Sequence, residues 1–269
     1  MKTRILTAAI ALVLLVGVML LPSPALYCAF TLICVLAVYE TFSVTGLKRH
    51  RSMFVFSLLF AAAAPFFGVA DSRLLFSASL AIFVLALVLG QLRHHADIPL
   101  SETGLAFFYT MILSVGISCT AYCRALNENG LFYFILALII AWGNDTGAYF
   151  AGTFFGKHKL CPSISPKKTV EGLVGGWITS VAAALLLSYI WRRATGVAPL
   201  YWQVALMAFL LSPLSVVGDL FASTIKRQSG TKDFGNIMPG HGGIMDRFDS
   251  LVFVAPLLFA LLHVFTLFR

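Results

Sequence analysis

The sequence predicts an all-α, polytopic membrane bundle, and three observations carry that prediction. Only 11% of the 269 residues are charged, against 59% hydrophobic, well under the roughly 25% charged share of a soluble domain. Mean hydropathy is +0.92. The apolar residues also fall in blocks of about 20, the length a helix needs to cross a hydrocarbon core. Together these exclude a water-soluble globule, a disordered chain, a coiled coil and a disulfide-stapled scaffold.

About nine blocks follow one another, over 5–21, 25–45, 53–70, 74–91, 104–122, 131–151, 172–191, 200–222 and 250–268. The first follows Lys2 and Arg4, and its apolar core is longer than that of a signal peptide, which favours a retained helix. The first four carry Glu40 as their one intramembrane acid, near the end of the second block. The second block holds Cys28 and Cys34, and the fifth ends in Cys119 and Cys123. With Cys161 in a loop, the five read as small packing residues and not as a metal or disulfide framework. The sixth contains Asp145, the eighth Asp219, and the ninth begins just after Asp246 and Asp249. Residues 1–130 thus form an N-terminal set of about five spans, and 131–269 a C-terminal region with two long polar loops.

Charge fixes the expected orientation. With nine spans and a cytoplasmic N-terminus, only Arg73, Arg124, Arg192, Arg193 and Arg269 of the 19 Lys and Arg lie outside. The positive-inside rule therefore favours N-in. The net charge of +8 sits in short inter-span clusters facing anionic headgroups, which points to membrane lipids and away from nucleic acid as the partner.

Six of the eleven acidic residues, Asp145, Glu171, Asp219, Asp233, Asp246 and Asp249, lie in the C-terminal region. A carboxylate at membrane depth costs several kcal/mol unless paired, hydrated or metal-bound. The expected topology brings Asp145 and Asp219 to similar depth on the cytoplasmic side, where Asp246 and Asp249 share a helix face at i,i+3. Four carboxylates from three helices suit a hard cation such as Mg²⁺ completed by phosphate oxygens. The plain alternative is that Asp246 and Asp249 cap a helix start while Asp145 and Asp219 pair with loop cations. Around them stand Ser165, Lys167, Lys168 and Thr169 in one loop, and Lys226, Arg227, Lys232, Asp233, His241, Gly242, Gly243 and Arg247 in the other. Glycines there let backbone approach a phosphate. The run Gly152-Thr153-Phe154-Phe155-Gly156-Lys157-His158 is one residue short of a Walker A loop and lacks its Ser or Thr.

These residues also carry a specific resemblance. Ser223-Thr224-Ile225-Lys226-Arg227, Lys232-Asp233-Phe234-Gly235 and Pro239-Gly240-His241-Gly242-Gly243-Ile244-Met245-Asp246-Arg247-Phe248-Asp249 resemble the signature of the phosphatidate cytidylyltransferases, or CDP-diacylglycerol synthases. Asp145-Thr146-Gly147-Ala148-Tyr149-Phe150, Gly156-Lys157 and Ser165-Pro166-Lys167-Lys168-Thr169-Val170-Glu171-Gly172 are similar to that family's other loop. The likeness runs over 140–255; the first five blocks match only in being hydrophobic. Met238 stands for an expected Leu, Ile or Phe, and Ala222 where many bacterial members have Glu.

The resemblance implies a multi-pass enzyme, in the inner or plasma membrane if bacterial, working at the cytoplasmic face. Its reaction would join CTP and phosphatidic acid into CDP-diacylglycerol and pyrophosphate, with Mg²⁺ and room for a second cation. Asp219 and Asp246 would hold the metal, with Asp249 and Asp145 at the same centre or just behind it. Lys167, Lys168, Lys226, Arg227 and Arg247 would neutralise phosphates, and Asp233 and His241 would orient them. Lys232 joins this catalytic set, and Ser165, Thr169, Gly242 and Gly243 the substrate-binding set. A homodimer is also implied. Two other readings compete: a different acceptor lipid, and an ion or proton transporter. A transporter predicts polar residues at mid-membrane across several spans, which the first four blocks lack.

Overall fold

The apolar blocks become helices, and the polar loops gather at one end of the bundle. The computed structural model describes residues 13–68, 72–237 and 242–268. Seven helices among them are long and apolar enough to cross a membrane: α1 (Ser23–Val44), α2 (Arg51–Ala63, prolonged by a 3-10 turn to Gly68), α3 (Arg73–Arg93), α4 (Leu100–Ala125), α5 (Gly130–Phe155), α6 (Val170–Thr195) and α7 (Tyr201–Gln228). They correspond to the second through eighth predicted blocks, so this is a multi-pass membrane protein. Residues 13–20 are helical too; the rest of the first block, with Lys2 and Arg4, lies outside the described residues.

The ninth block is built differently from its apolar run. A short helix α8 (Met245–Phe248) is followed by α9 (Leu251–Leu262), and Asp249 and Ser250 between them keep helical dihedrals. The helical path therefore runs from Met245 to Leu262, about 27 Å at 1.5 Å per residue, and stops short of 268. There the chain turns back: Leu200 N–H donates to Leu267 O at 2.7 Å, and Pro199 pairs with Phe268.

α4 lies at the centre, burying 61% of its apolar window, while α3 buries 17%. The outward leucines of α3, among them Leu74, Leu85 and Leu89, suit contact with lipid, where no water penalises them. One buried cluster joins Phe30, Phe42, Leu113, Ile117, Phe132, Ile140 and Val254, so the N-terminal and C-terminal regions share a core.

Two features of the C-terminal helices bear on the site. Pro213 sits inside α7 and cannot donate to the carbonyl of Phe209; that oxygen instead accepts the Trp177 indole N–H of α6 at 2.7 Å. In α5, residues Ile139–Gly143 form a π-helical turn. Such a turn inserts one residue into the helical register and is frequent beside functional sites. It ends at Asn144, the residue before Asp145.

One small sheet interrupts the helical architecture. β1 (Lys159–Cys161) and β2 (Ser165–Thr169) form an antiparallel hairpin, with Lys159 opposite Thr169 and Cys161 opposite Ser165. The 157–170 loop is thereby ordered, with Ser165, Lys167, Lys168 and Thr169 all on β2.

Candidate active site

The site forms where the ends of α5, α6 and α7 meet the start of α8. Along α7, Ser212, Ser215, Asp219, Ser223 and Lys226 recur at intervals of three and four, a polar stripe down one face of an apolar helix. Its first two members, Ser212 and Ser215, face α5. Ser212 Oγ donates to Asn144 Oδ1 at 2.8 Å, and Asn144 Nδ2 donates to Ser215 Oγ at 3.3 Å. Asp145 is held beside them, accepting from Ser215 Oγ at 3.2 Å and Ser250 Oγ at 2.7 Å.

The close approach of α7 to the helical turn at Asp249 depends on Gly218. A Cβ at that position would lie 2.3 Å from the Asp249 carbonyl oxygen, a distance that only glycine avoids. Asp219 is the next residue, so this contact sets Asp219 beside Asp249. Asp145, Asp219 and Asp249 interact electrostatically with one another. Asp249 is buried, and its Oδ1 accepts from Ser250 N at 2.8 Å.

Two lysines stand against these acids. Lys168 Nζ, from β2, is 2.7 Å from Asp219 Oδ2, and Lys226 Nζ is 2.7 Å from Asp246 Oδ1. The pairs differ in exposure. Asp219 has 30% of its side-chain surface accessible; Asp246 has 5%. Asp246 Oδ2 also accepts from the backbone N–H groups of Phe234 and Gly243, each at 2.9 Å. Its carboxylate is thus held by one ammonium and two amides, while Asp145, Asp219 and Asp249 form the other acidic group. Among the described residues no set of three or more Asp, Glu, His or Cys forms a ready metal cage.

The Cytidylyltransferase family model matches residues 2–265. The chain belongs to this family. A phosphatidate cytidylyltransferase of Staphylococcus haemolyticus is 35% identical over 272 residues, covering 97% of this chain and 99% of the relative. One of Staphylococcus aureus is 36% identical over 270 residues, again covering 97% and 99%. One of Bacillus subtilis is 46% identical over 143 residues, or 53% and 52% of the two chains. The likeness read from 140–255 therefore extends through the N-terminal helices, and the chain is an enzyme, a nucleotidyltransferase.

In this cytidylyltransferase the remaining sequence-predicted residues occupy distinct places. Thr169 is buried and N-caps α6, its Oγ1 accepting from Gly172 N at 3.0 Å. Ser165 is half-buried and Lys167 exposed on β2. Arg227 is exposed, and its Nε donates to Ile164 O at 3.4 Å, tying α7 to the hairpin turn. Lys232 and Asp233 are exposed on the loop after α7. Gly242 has a φ of +84°, which suits glycine. Arg247 is exposed on α8, with its backbone oxygen accepting from Trp142 Nε1 at 3.0 Å. His241, with Met238, lies outside the described residues. Ala222 is fully buried.

Several residues that shape the site were not singled out by their chemistry in the sequence. Ser215 and Ser250 hold Asp145, with Asn144 and Ser212 bonded beside them, and the spacing of 212, 215, 219 and 223 was the signal that could have found the α7 pair. Glu171 anchors the hairpin by accepting from the backbone N–H groups of Lys157 at 3.0 Å and His158 at 3.2 Å.

Proposed function

We propose that this enzyme transfers the cytidylyl group of CTP to phosphatidic acid, giving CDP-diacylglycerol and pyrophosphate at the cytoplasmic membrane face. The names of its full-length relatives support the substrates. The observation that carries the chemistry is the set Asp145, Asp219 and Asp249 facing Lys168 and Lys226 beside a glycine-rich loop.

The fit to Mg²⁺ rests on three mutually interacting carboxylates with one ion-paired lysine among them. Mg²⁺ is commonly held by one or two carboxylates and substrate phosphates, so a complete protein cage is not required. Asp219, with Asp145 and Asp249, would hold it, and bound there it supplies charge neutralisation to the nucleotide. A second cation has the same carboxylates available.

The chain's own groups have defined tasks in this reading. Before substrate arrives, Lys168 and Lys226 are paired with Asp219 and Asp246. The CTP triphosphate would draw both ammonium groups onto its oxygens and free the carboxylates, Asp246 included, for metal. Lys167, Arg227, Lys232 and Arg247, exposed around the rim, would take the lipid phosphate and the departing pyrophosphate. Asp233 and His241 would orient these cations, and Ser165 and Gly242 would line the approach, with the buried Thr169 and Gly243 holding the backbone behind them. An oxygen of the lipid phosphate then bonds to the α-phosphorus as the bond to the β-phosphate oxygen breaks, its electron pair leaving on pyrophosphate. The attacking phosphate is already ionised near neutral pH, so catalysis rests on positioning and charge compensation. Two copies of the chain would assemble as a homodimer.

Membranes expressing the chain should convert radiolabelled CTP into a lipid-soluble product when phosphatidic acid is supplied. No product with phosphatidic acid, but product with another phosphorylated lipid, would reassign the acceptor. No product with any lipid would sink the reading.

A further inference from the structure

Glu40 is an acid in α1 that the proposed transfer does not use. It is 2% exposed, among the buried Ala37, Val38, Thr41 and Phe42. Its carboxylate reaches the far end of the sequence: Oε1 accepts from Ile244 N–H at 3.1 Å and Oε2 from Met245 N–H at 2.9 Å. These amides open α8, where helical backbone leaves N–H groups without intrahelical acceptors. The same carboxylate also touches the glycine-rich loop twice. A Cβ on Gly235 would lie 2.4 Å from Oε1, and one on Gly243 2.3 Å from Oε2. Real Cβ atoms do not approach that closely, so a Cβ at either position would push the Glu40 carboxylate off the amides it accepts.

Asp246 grips the same loop from the other side through Phe234 N and Gly243 N. The loop is therefore clasped between two carboxylates, one from its own helix and one from α1. Glu40 and Asp246 repel each other across it. Burying a second carboxylate next to the first is costly, and a group that could accept only one amide would leave the other unsatisfied.

We propose that Glu40 is a positioning residue for cytidylyl transfer: it fixes the loop and the start of α8 against α1, and Gly235 and Gly243 are glycines to admit its carboxylate, not a phosphate. This rests on the reading that the loop serves CTP. It also gives the N-terminal helices a direct role at the site.

The test uses the full chain purified in detergent, with three substitutions. Glu40→Gln keeps the size but one acceptor oxygen; a lost hydrogen bond to a charged group corresponds to roughly a 10- to 100-fold effect. We expect kcat to fall in that range and KM for CTP to rise while KM for phosphatidic acid is unchanged, with a lower melting temperature from the amide left unsatisfied; a merely structural role would not split the two KM values. Amide hydrogen exchange in 234–245 should quicken in the same variant. Gly243→Ala should impair wild type about tenfold or more but add under about threefold in a Glu40→Ser background, which opens the space. Wild-type exchange and kinetics in Glu40→Gln, or an equal Gly243→Ala effect in both backgrounds, would overturn the proposal. If the wild type makes no cytidylylated lipid, the transfer reading fails, while exchange and the melting temperatures of the single and double variants still decide the Glu40–Gly243 contact.

Discussion

Lys226 and Asp246 lie 2.7 Å apart in a nearly dry setting, joined across a loop whose backbone donates two further hydrogen bonds to the same carboxylate. Removing the ammonium alone strands a buried charge, which costs about 3–5 kcal/mol. Lys226→Met should therefore lower the melting temperature of the purified protein and abolish transfer. Adding Asp246→Asn should recover most of the stability and none of the activity.

Asp219 presents the opposite balance. Its carboxylate is partly open, and it lies beside two other acids, Asp145 and Asp249, whose repulsion offsets the attraction of Lys168. Asp219→Asn should lower thermal stability less than Lys226→Met, because relief of the acid–acid repulsion offsets the lost ion pair, and should lower turnover by about 10²–10³-fold, the usual cost of one preorganised electrostatic group. A raised Mg²⁺ requirement in the remaining activity would be its signature in a metal titration.

Metal removal tests the carboxylate set as a whole. Treatment with a chelator should stop formation of the lipid product, and added Mg²⁺ should restore it. Undiminished turnover in excess chelator would remove the metal from the scheme.

Gly218→Ala inserts a methyl group 2.3 Å from the Asp249 carbonyl oxygen. The two helices must part, at a cost of about 1–3 kcal/mol. Activity should fall more than stability suggests, because Asp219 and Asp249 move apart with the backbone. Turnover and melting temperature measured on one preparation would separate the two effects.

Trp177→Phe removes the indole N–H that satisfies the carbonyl Pro213 leaves open in α7. An unsatisfied polar group of this kind costs about 1–3 kcal/mol, and detergent melting curves should register it. Turnover at low temperature should stay close to wild type.

The sequence made the spans legible because hydrophobic length is a physical requirement of the bilayer, and seven predicted blocks reappear as α1 to α7. It made the site legible because Asp145, Lys168, Asp219, Lys226 and Asp246 are polar exceptions in an apolar chain. Other features had no local signature. Glu40 meets Ile244 across 204 positions, and nothing in either neighbourhood announces the other. The last apolar block runs unbroken to residue 268, yet its helix ends at Leu262 because residues 267 and 268 pair with the turn before α7, which hydropathy does not register. Thr169 belongs to a loop rich in phosphate-binding residue types, and its hydroxyl is engaged as a helix cap.

The π-helical turn at Ile139–Gly143 makes α5 two helices out of phase with each other. A single projection around its axis would misplace one half by about 100°, the rotation contributed by one residue. The first half can therefore be tuned for packing against the bundle while the second half keeps Asn144 and Asp145 aimed at α7. Deleting one residue within the turn would shorten the span by only about 1.5 Å, yet it would swing Asp145 off Ser215 and Ser250. The length of this helix answers to the membrane; its phase answers to the chemistry.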